Sequence, residues 1–489
     1  MARRESSAET GGFKGYVQSD FGATHSTAPA LNAGEDLEMS TGVFFTTADI
    51  DAALADGTLT MATIDQALTR RYTEMFKEGD FDRPITHNPV DATTDDAIAT
   101  QIGEQTSVLL KNNNSMLPLN AHKIKTIALI GQQSFAGQAV TGGGGSSLVT
   151  PTSTVTPLQG LQNVLSEEHS SATINQVIVS NDNSNLADAV TAAQNADVTI
   201  IMGGVITSEG SDRPNLSLPN NQDALISAVS AANPKTVVVL KDGDPVLMPW
   251  VNQVPALLEA WFPGREDGNI VANLLFGLAS PSAKLPVSYP VSAADTPTDT
   301  PAQWPGIEID GVPTVTYSEG LQEGYRWYTT QHVKPLFPFG FGLTYTTFAF
   351  HDLKVSPGKT NNGKALVTAD VTNTGGRPGA EVAQLYVTYP SSAGEPALQL
   401  RGFQKVNLNP GQTARVTFNL IPRAFSTWNS DQQNWNVVNG QFTVHVGDSS
   451  ENLPLSASLT VNPHGNINNF LPQLGRNGQV SLIGHGHSQ

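Results

Sequence analysis

The sequence predicts an α/β fold followed by a β-sandwich, and three observations support this fold class. Between about residue 126 and residue 290, short apolar runs rich in β-branched residues alternate with segments of helical periodicity, the pattern of a parallel sheet covered by helices. From about residue 335 to residue 461 the helical periodicity gives way to short alternating strands. The 489 residues, of which 39% are apolar and 14% are charged, are enough for roughly three globular domains.

The segment from residue 91 to residue 290 is predicted to be an α/β sandwich domain. We expect strands at residues 126–130, 176–179, 198–202, 236–240 and 256–261. We expect helices at residues 186–195, 222–232 and 267–276. Because ligands bind beyond the carboxyl ends of parallel strands, the loops after Ile130, Met202 and Leu240 are the expected place for chemistry.

Residues 291–334 are rich in proline and threonine and are predicted to connect this domain to the β-sandwich. Residues 335–462 are predicted to form a sandwich of the immunoglobulin or fibronectin type. Its clearest strands are expected at residues 365–371, 382–389, 413–420 and 441–446. The segment 463–489 is rich in Asn, Gly, Gln and His, so we expect a disordered tail in which His485 and His487 form no metal site.

The first 90 residues have a different pattern. Residues 15–20 are typical of a strand that ends in a polar turn, residues 30–39 suggest a second strand, and residues 48–76 contain two helical patterns. One or two strands and a few helices cannot bury a closed core by themselves. We therefore expect this segment to be part of a larger domain whose remainder lies upstream.

The charge and composition narrow the classes of partner. A net charge of −18 disfavours nucleic acid and anionic membranes, because both require a basic surface. No apolar run reaches the ~18 residues of a membrane helix, so we expect no membrane segment. The absence of cysteine excludes disulfides, thiolate metal sites and cysteine nucleophiles. The N-terminus lacks the apolar stretch of a secretory signal, so the compartment is not predicted from it.

Two acidic residues follow predicted strands and are candidates for catalysis. Asp20 ends the first predicted strand and precedes Phe21. Glu209 lies in the loop after the third strand of the α/β sandwich, close in sequence to Arg213. Each has a simpler interpretation, Asp20 as a turn or helix cap and Glu209 as a solvated side chain paired with Arg213. Two carboxylates on separate loops also suit glycoside hydrolysis, in which one attacks the anomeric carbon and the other protonates the leaving oxygen and then activates water.

A series of short segments matches one family pattern in chain order. The segments lie at residues 12–25, 33–39, 108–112, 117–119, 142–146, 281–286, 317–320, 324–328 and 335–345. They include Ser19-Asp20-Phe21 and Gly142-Gly143-Gly144-Gly145-Ser146. Together they resemble glycoside hydrolase family 3, of the β-glucosidase type.

The resemblance implies roles for four residues. Asp20 is similar to the nucleophile of the family, and Glu209 is similar to its general acid/base. Phe21 would form an aromatic wall beside the sugar, and Arg213, in the same stretch as Glu209, would bind substrate. For Glu209 to donate a proton, its pKa must be raised.

The resemblance also implies a fold and an activity. Residues 1–90 would be the C-terminal remnant of a (β/α)8 barrel, and most of that barrel, roughly two hundred residues, would have no counterpart in this chain. The implied activity is that of a retaining exo-hydrolase that removes terminal non-reducing β-D-glucosyl residues from β-glucosides or short β-linked oligosaccharides. No metal or other cofactor is implied, and an extracellular or periplasmic location is expected for the full-length parent.

Three alternatives remain open at this point. The chain could be a catalytically incomplete fragment that binds carbohydrate or acts as a structural scaffold. It could form a homo-oligomer or associate with a partner chain that completes the barrel. Its specificity could be that of a β-xylosidase or an α-arabinofuranosidase of the same family.

Overall fold

The computed structural model describes residues 13–40, 42–83, 86 and 91–463. The described residues form two compact units, the first from residues 13–86 and the second from residues 91–463. Apart from Pro463, the predicted tail with His485 and His487 lies outside the described residues. Among the helices of the described part, none combines the length and the apolar character that crossing a bilayer requires.

The described residues of the first unit form two short strands and three helices. In chain order these are β1 (Gln18–Phe21), α1 (Ala28–Asn32), β2 (Leu37–Met39), α2 (Thr47–Ala55) and α3 (Met61–Glu78). β1 and β2 pair in parallel, with Gln18 opposite Leu37 and Phe21 opposite Met39. The second predicted strand is shorter than expected, because Pro29 suits the first turn of a helix and residues 28–32 form α1.

Hydroxyl side chains begin the two longer helices of this unit. The side chain of Thr46 accepts a hydrogen bond from the Asp49 N–H, and that of Thr60 accepts one from the Thr63 N–H. Four buried apolar residues, Ala28, Leu31, Ala53 and Leu59, form one small cluster. Several large apolar side chains stay exposed on and after α3, namely Met61, Leu68, Tyr72, Phe76 and Phe81.

The second unit begins with a six-stranded sheet. Its strands are β3 (Val108–Asn112), β4 (Thr126–Gln132), β5 (Thr173–Val179), β6 (Val198–Gly204), β7 (Thr236–Lys241) and β8 (Ala256–Glu259), in the spatial order β3-β8-β7-β6-β4-β5. Strands β4 to β8 run parallel, and β3 pairs antiparallel with β8. The five predicted strands are confirmed, whereas β3 was not predicted.

Helices pack on the two faces of this sheet. They are α4 (Ala92–Thr106), α5 (Pro157–Glu167), α6 (Leu186–Gln194), α7 (Gln222–Ala232) and α8 (Asp267–Phe276). Alternate residues of β4 enter separate cores: Ile127 packs in the cluster that contains α5 and α8, and Ala128 packs in the cluster that contains α6 and α7. The three predicted helices are confirmed, while α4 and α5 were not predicted.

The connecting segment contains little regular structure. A short antiparallel hairpin, β9 (Ile307–Ile309) and β10 (Val312–Thr314), precedes α9 (Tyr325–Gln331). The remaining strands are β11 (Phe348–Ser356), β12 (Lys359–Thr360), β13 (Ala365–Asn373), β14 (Gly379–Thr388), β15 (Leu398–Leu408), β16 (Thr413–Leu420), β17 (Ser426–Asn429), β18 (Asn434–Val437), β19 (Gly440–Gly447) and β20 (Leu455–Val461).

These strands form the predicted β-sandwich. One sheet has the order β11-β13-β16, the other has the order β12-β20-β19-β14-β15, and β17 pairs with β18 in a separate hairpin. Inward-facing residues of the two sheets make a third core, which includes Val367, Leu385, Phe418, Phe442 and Val446. The predicted combination of a mixed α/β region and a C-terminal β-sandwich is therefore confirmed, while the boundaries assigned to each domain stay predictions.

Candidate active site

Two loops pair with each other beyond the carboxyl ends of β4 and β6. The glycine-rich loop, residues 142–146, lies against the acidic loop, residues 205–213. The Gly144 N–H donates a hydrogen bond to the Thr207 carbonyl oxygen at 2.9 Å, and the Glu209 N–H donates one to the Gly144 carbonyl oxygen at 3.3 Å. The chain thus holds Glu209 at the edge of the sheet where ligands are expected.

Glycine permits this close approach of two backbones. A Cβ atom on Gly143 would lie 2.5 Å from the Thr207 carbonyl oxygen, and one on Gly145, where φ is +99°, would clash with Cβ of Glu209. Any larger residue would push the acidic loop away. The glycines therefore have a steric function beside Glu209 as well as a conformational one.

Glu209 is exposed, and one serine holds its carboxylate. The Ser146 N–H donates to Oε2 of Glu209 at 2.7 Å, and the Ser146 hydroxyl donates to the same oxygen at 2.5 Å. These hydrogen bonds hold the pKa of Glu209 below its ordinary value, and the hydroxyl contributes more than the backbone N–H. The direction is opposite to the raised pKa expected for a proton donor, because Ser146 stabilises the ionised form.

Arg213 contacts its own chain at the end of the acidic loop. Its Nη1 donates to the Pro245 carbonyl oxygen at 3.1 Å. Its Nη2 is buried and has no hydrogen-bond partner among the residues that the structure describes. Arg213 therefore links the acidic loop to the loop after β7, and its predicted contact with substrate stays a prediction.

A pair of buried carboxyl groups lies behind these loops. Asp242 follows β7 and Glu259 ends β8, and both are 0% exposed. Burial raises the pKa of Asp242 to about 8, although the nearby Arg213 guanidinium lowers it. Burial and the charge of Asp242 raise the pKa of Glu259 well above its ordinary value. Neither carboxyl oxygen of Asp242 has a hydrogen-bond partner among the described residues, so burial without a donor favours the neutral acid.

Two further groups fix the orientation of Glu259. The Tyr289 hydroxyl donates to Oε2 at 3.0 Å, and the Trp261 N–H donates to Oε1 at 2.9 Å. Sequence analysis missed this pair. The available signal is limited to Glu259, which directly follows the apolar run Ala256-Leu257-Leu258, since Asp242 is preceded by Lys241 and has the pattern of a polar turn.

A buried ion pair supports the base of the glycine-rich loop. Lys241 Nζ lies 2.6 Å from Oδ2 of Asp267, and both side chains are 0% exposed. Oδ2 of Asp267 also accepts the Val140 N–H at 2.8 Å, and Lys241 Nζ donates to the Phe135 carbonyl oxygen at 3.2 Å. Burial lowers the pKa of Lys241 and raises that of Asp267. The pair therefore joins β7, α8 and the segment that leads into the glycine-rich loop.

The other predicted carboxylate, Asp20, lies on β1 in the first unit. Its side chain is exposed and accepts the Phe21 N–H at 2.7 Å, and the Phe21 side chain is 69% exposed. A buried carboxylate supports this strand: Asp36 accepts the Val17 N–H at 2.9 Å and pairs with Arg70, whose Nε lies 3.1 Å from Oδ1. Asp20 and its aromatic neighbour are thus accessible on an anchored strand.

A second buried acid shapes the end of β2. Glu38 accepts backbone hydrogen bonds from Val43, Phe44 and Phe45. Burial alone would raise the pKa of Glu38, but these backbone donors lower it below its ordinary value. Asp36 and Glu38 therefore support the backbone around β1 and β2. Their positions in the sequence alone do not distinguish them from the candidate nucleophile, Asp20.

Potential metal ligands in the described residues occur in the β-sandwich, where His351, Asp352 and Asp370 offer ligand atoms within 4.8 Å of one another. Arg415 donates to both oxygens of Asp370 at 2.7 Å. Both ring nitrogens of His351 are also hydrogen-bonded, to Asp352 and Thr372. Because these groups already satisfy one another, we assign no metal to them.

The predicted site residues are divided between the two units. Asp20 and Phe21 are neighbours in the first unit, and Glu209 and Arg213 share the acidic loop of the second. The residues that sequence reasoning missed are Ser146, Asp242, Glu259 and the Lys241–Asp267 pair.

Comparisons with known proteins give consistent results. The family profile of the glycosyl hydrolase family 3 C-terminal domain matches residues 107–345, and that of the fibronectin type III-like domain matches residues 381–450. A thermostable beta-glucosidase B from Acetivibrio thermocellus is 36% identical over 92% of this chain and 59% of its own length. An exo-alpha-(1->6)-L-arabinopyranosidase from Bifidobacterium longum is 34% identical over 93% of this chain and 60% of its own length. The chain thus spans 59–60% of the length of these two relatives.

Other relatives are covered more fully. A probable beta-glucosidase L from Aspergillus terreus is 34% identical, over 92% of this chain and 67% of its own length. The solved structure of a beta-glucosidase from Bifidobacterium adolescentis has a TM-score of 0.82 and 34% identity, over 92% of this chain and 65% of that one. A beta-D-glucoside glucohydrolase from Trichoderma reesei has a TM-score of 0.79 and 30% identity, over 92% and 68%. The matched profiles, the identity along the chain and the shared fold together place this chain in glycoside hydrolase family 3.

Proposed function

We propose that the chain contains the two catalytic carboxylates of a retaining exo-glycosidase of the β-glucosidase type, with Asp20 as the nucleophile and Glu209 as the general acid/base. The observation that most supports this proposal is the position of Glu209. Its side chain is exposed beyond the carboxyl ends of parallel strands, where the glycine-rich loop holds it in place through Ser146. Two relatives named as beta-glucosidases are 36% and 34% identical in sequence to this chain.

The proposed reaction has two steps. In the first, the Asp20 carboxylate attacks the anomeric carbon while the Glu209 carboxyl gives its proton to the leaving oxygen, so that a glycosyl ester forms on Asp20. In the second, the Glu209 carboxylate takes a proton from water, and that water displaces the sugar from Asp20. The exposed ring of Phe21 would contact the C–H face of the sugar, and Arg213 would bind a hydroxyl group.

We further propose that residues 1–90 are the C-terminal part of a (β/α)8 barrel, that residues 91–290 form the α/β sandwich domain and that residues 335–462 form the fibronectin type III-like domain. Two features of the first unit support the barrel. β1 and β2 pair in parallel and are joined through a helix, as barrel strands are. The apolar side chains that α3 leaves exposed, among them Tyr72 and Phe76, suit a helix with a further packing partner. A homo-oligomer or a partner chain that supplies this contact remains part of the proposal.

A second candidate substrate is an α-L-arabinopyranoside. Two relatives with that named activity are 34% and 35% identical to this chain. Arabinopyranose lacks the hydroxymethyl group of glucose, so the same carboxylates would act on a smaller ring. The β-xylosidase and α-arabinofuranosidase specificities stay predictions.

The first experiment is hydrolysis of p-nitrophenyl β-D-glucopyranoside and p-nitrophenyl α-L-arabinopyranoside by the purified chain, with Asp20→Asn as the control. We expect turnover of the glucoside that the variant lacks, because Asn cannot form the glycosyl ester. Faster turnover of the arabinoside would assign the second specificity. If a folded, monodisperse sample turns over neither substrate, the chain alone is not a hydrolase and the scaffold alternative is favoured.

A further inference from the structure

The two donors that hold Glu209 reach the same oxygen. The N–H and the hydroxyl of Ser146 both donate to Oε2. A backbone N–H can only donate, whereas a serine hydroxyl can donate or accept. A proton on Oε2 would therefore point towards the Ser146 N–H, which cannot accept it. Because of this, the proton of a protonated Glu209 is favoured on Oε1.

The position of the Ser146 N–H is fixed by the backbone around it. A turn closed by the Leu148 N–H and the Gly145 carbonyl oxygen, at 3.1 Å, contains Ser146. Gly144 is hydrogen-bonded to the acidic loop through both its N–H and its carbonyl. A Cβ on Gly145 would clash with Glu209, so the loop lies in direct contact with the side chain that it holds.

We propose that Ser146 is a positioning residue for Glu209, which anchors Oε2 and leaves Oε1 as the oxygen that gives and takes the proton. This inference rests on the proposed acid/base role of Glu209. The same hydrogen bonds lower the pKa of Glu209. Ser146 thus improves the position of the carboxyl group and weakens its hold on the proton, and these two effects are separable by experiment.

The first test measures the carboxyl group directly and needs no turnover. Glutamate carboxyl carbons are labelled with 13C in the full chain, and the Glu209 signal is assigned by its loss in Glu209→Gln. We expect Ser146→Ala to raise the pKa of Glu209, Ser146→Thr to keep it near the wild-type value, and Ser147→Ala, a change of the exposed neighbouring serine, to leave it unchanged. An unchanged pKa in Ser146→Ala overturns the proposal.

The second test compares leaving groups. A loosely held acid impairs departure of a poor leaving group, while a good one such as 2,4-dinitrophenolate needs no proton. We expect Ser146→Ala to lower kcat/KM about tenfold for an alkyl glucoside, with much less effect on the dinitrophenyl glucoside, and to move the basic limb of the pH profile to higher pH. Equal losses for both substrates would mean that Ser146 only stabilises the loop. If the wild-type chain turns over neither, the proposed function fails, and the titration still decides the role of Ser146.

Discussion

Glu209 and the Asp242–Glu259 pair lie at the carboxyl ends of neighbouring strands of one sheet, yet their environments are opposite. Glu209 is exposed and accepts two hydrogen bonds from Ser146, which lower its pKa. Asp242 is fully buried and has no hydrogen-bond partner in the described structure, and burial raises its pKa to about 8. A place at the end of a parallel strand therefore does not define what an acid does. Solvent and donors decide whether it is ionised.

The difference suggests a division between chemistry and support. An exposed carboxylate on a loop can reach a substrate and exchange protons with water. A buried pair in which Tyr289 and Trp261 hold the Glu259 carboxyl group instead specifies how the strand ends are arranged. Substitution of Glu209 should therefore affect turnover, whereas substitution of the buried acids should affect stability and its pH dependence.

The largest expected effect is on turnover. Glu209→Ala should lower kcat/KM for an alkyl β-glucoside by about 10²- to 10⁴-fold, because the leaving oxygen receives no proton. Its urea unfolding midpoint should change little, since the side chain is exposed and loses only its hydrogen bonds to Ser146. Added azide should restore turnover of an activated glucoside and yield the β-glycosyl azide, identified by mass spectrometry and NMR. The matched control is Asp212→Asn, an exposed acid of the same loop. If Glu209→Ala loses little activity and gives no azide product, another acid protonates the leaving group.

The next effect is on stability and concerns the ion pair behind the loops. Asp267→Ala should lower the free energy of unfolding by about 3–5 kcal/mol, because it leaves the Lys241 ammonium group buried without its counter-charge. Urea unfolding measures this loss. The double variant Lys241→Met/Asp267→Leu removes both charges and should lose less. A double variant as unstable as the single one would show that the pair is required for packing rather than for charge balance.

The sequence predicted the strands of the sheet and the place of Glu209, because both depend on local patterns. A run such as Val237–Val239 has high β propensity, and an acidic residue after a strand has a defined position in a parallel sheet. The same logic predicted the β-sandwich from its short alternating strands. Asp20 and Glu209 were chosen through family resemblance, and their catalytic roles stay predictions.

What could not be predicted depends on contacts distant in sequence. The lowered pKa of Glu209 comes from Ser146, 63 residues earlier in the chain. Lys241 and Asp242 have the appearance of a polar turn after an apolar strand, yet both are buried, one by its pairing with Asp267 and the other by its contact with Glu259. β3 was not predicted because its pairing with β8 joins segments far apart in the chain.

A smaller effect should appear in the pH dependence of stability. An acid whose pKa is raised in the folded state stabilises the fold at low pH, and this contribution is lost as pH rises through the folded pKa. For Asp242 the stability is fully present below about pH 4 and is lost as pH rises through about 8. The slope is at most about 1.4 kcal/mol per pH unit for one titrating group. Unfolding free energies of the wild type should thus fall between about pH 4 and pH 8 and level off above pH 8, and those of Asp242→Asn should fall less.

The control for that comparison is Asp431→Asn. Asp431 is exposed in the turn between β17 and β18 of the β-sandwich, so its substitution should leave the pH dependence close to that of the wild type. The Lys241–Asp267 pair titrates equally in all three proteins and does not affect the difference between them. Identical pH profiles for the wild type and Asp242→Asn would contradict the raised pKa of Asp242.

The smallest expected effect concerns Arg213, the side chain that connects the two acidic regions. Arg213→Met removes the hydrogen bond to the Pro245 carbonyl and the positive charge near Asp242. Loss of the hydrogen bond should cost about 1 kcal/mol of stability. Loss of the positive charge should raise the pKa of Asp242 further, so the fall in stability should move to higher pH. Arg213→Lys retains the charge and should shift this fall less. A rise in KM with stability and its pH dependence unchanged would mean that Arg213 serves the substrate and not the link between the loops.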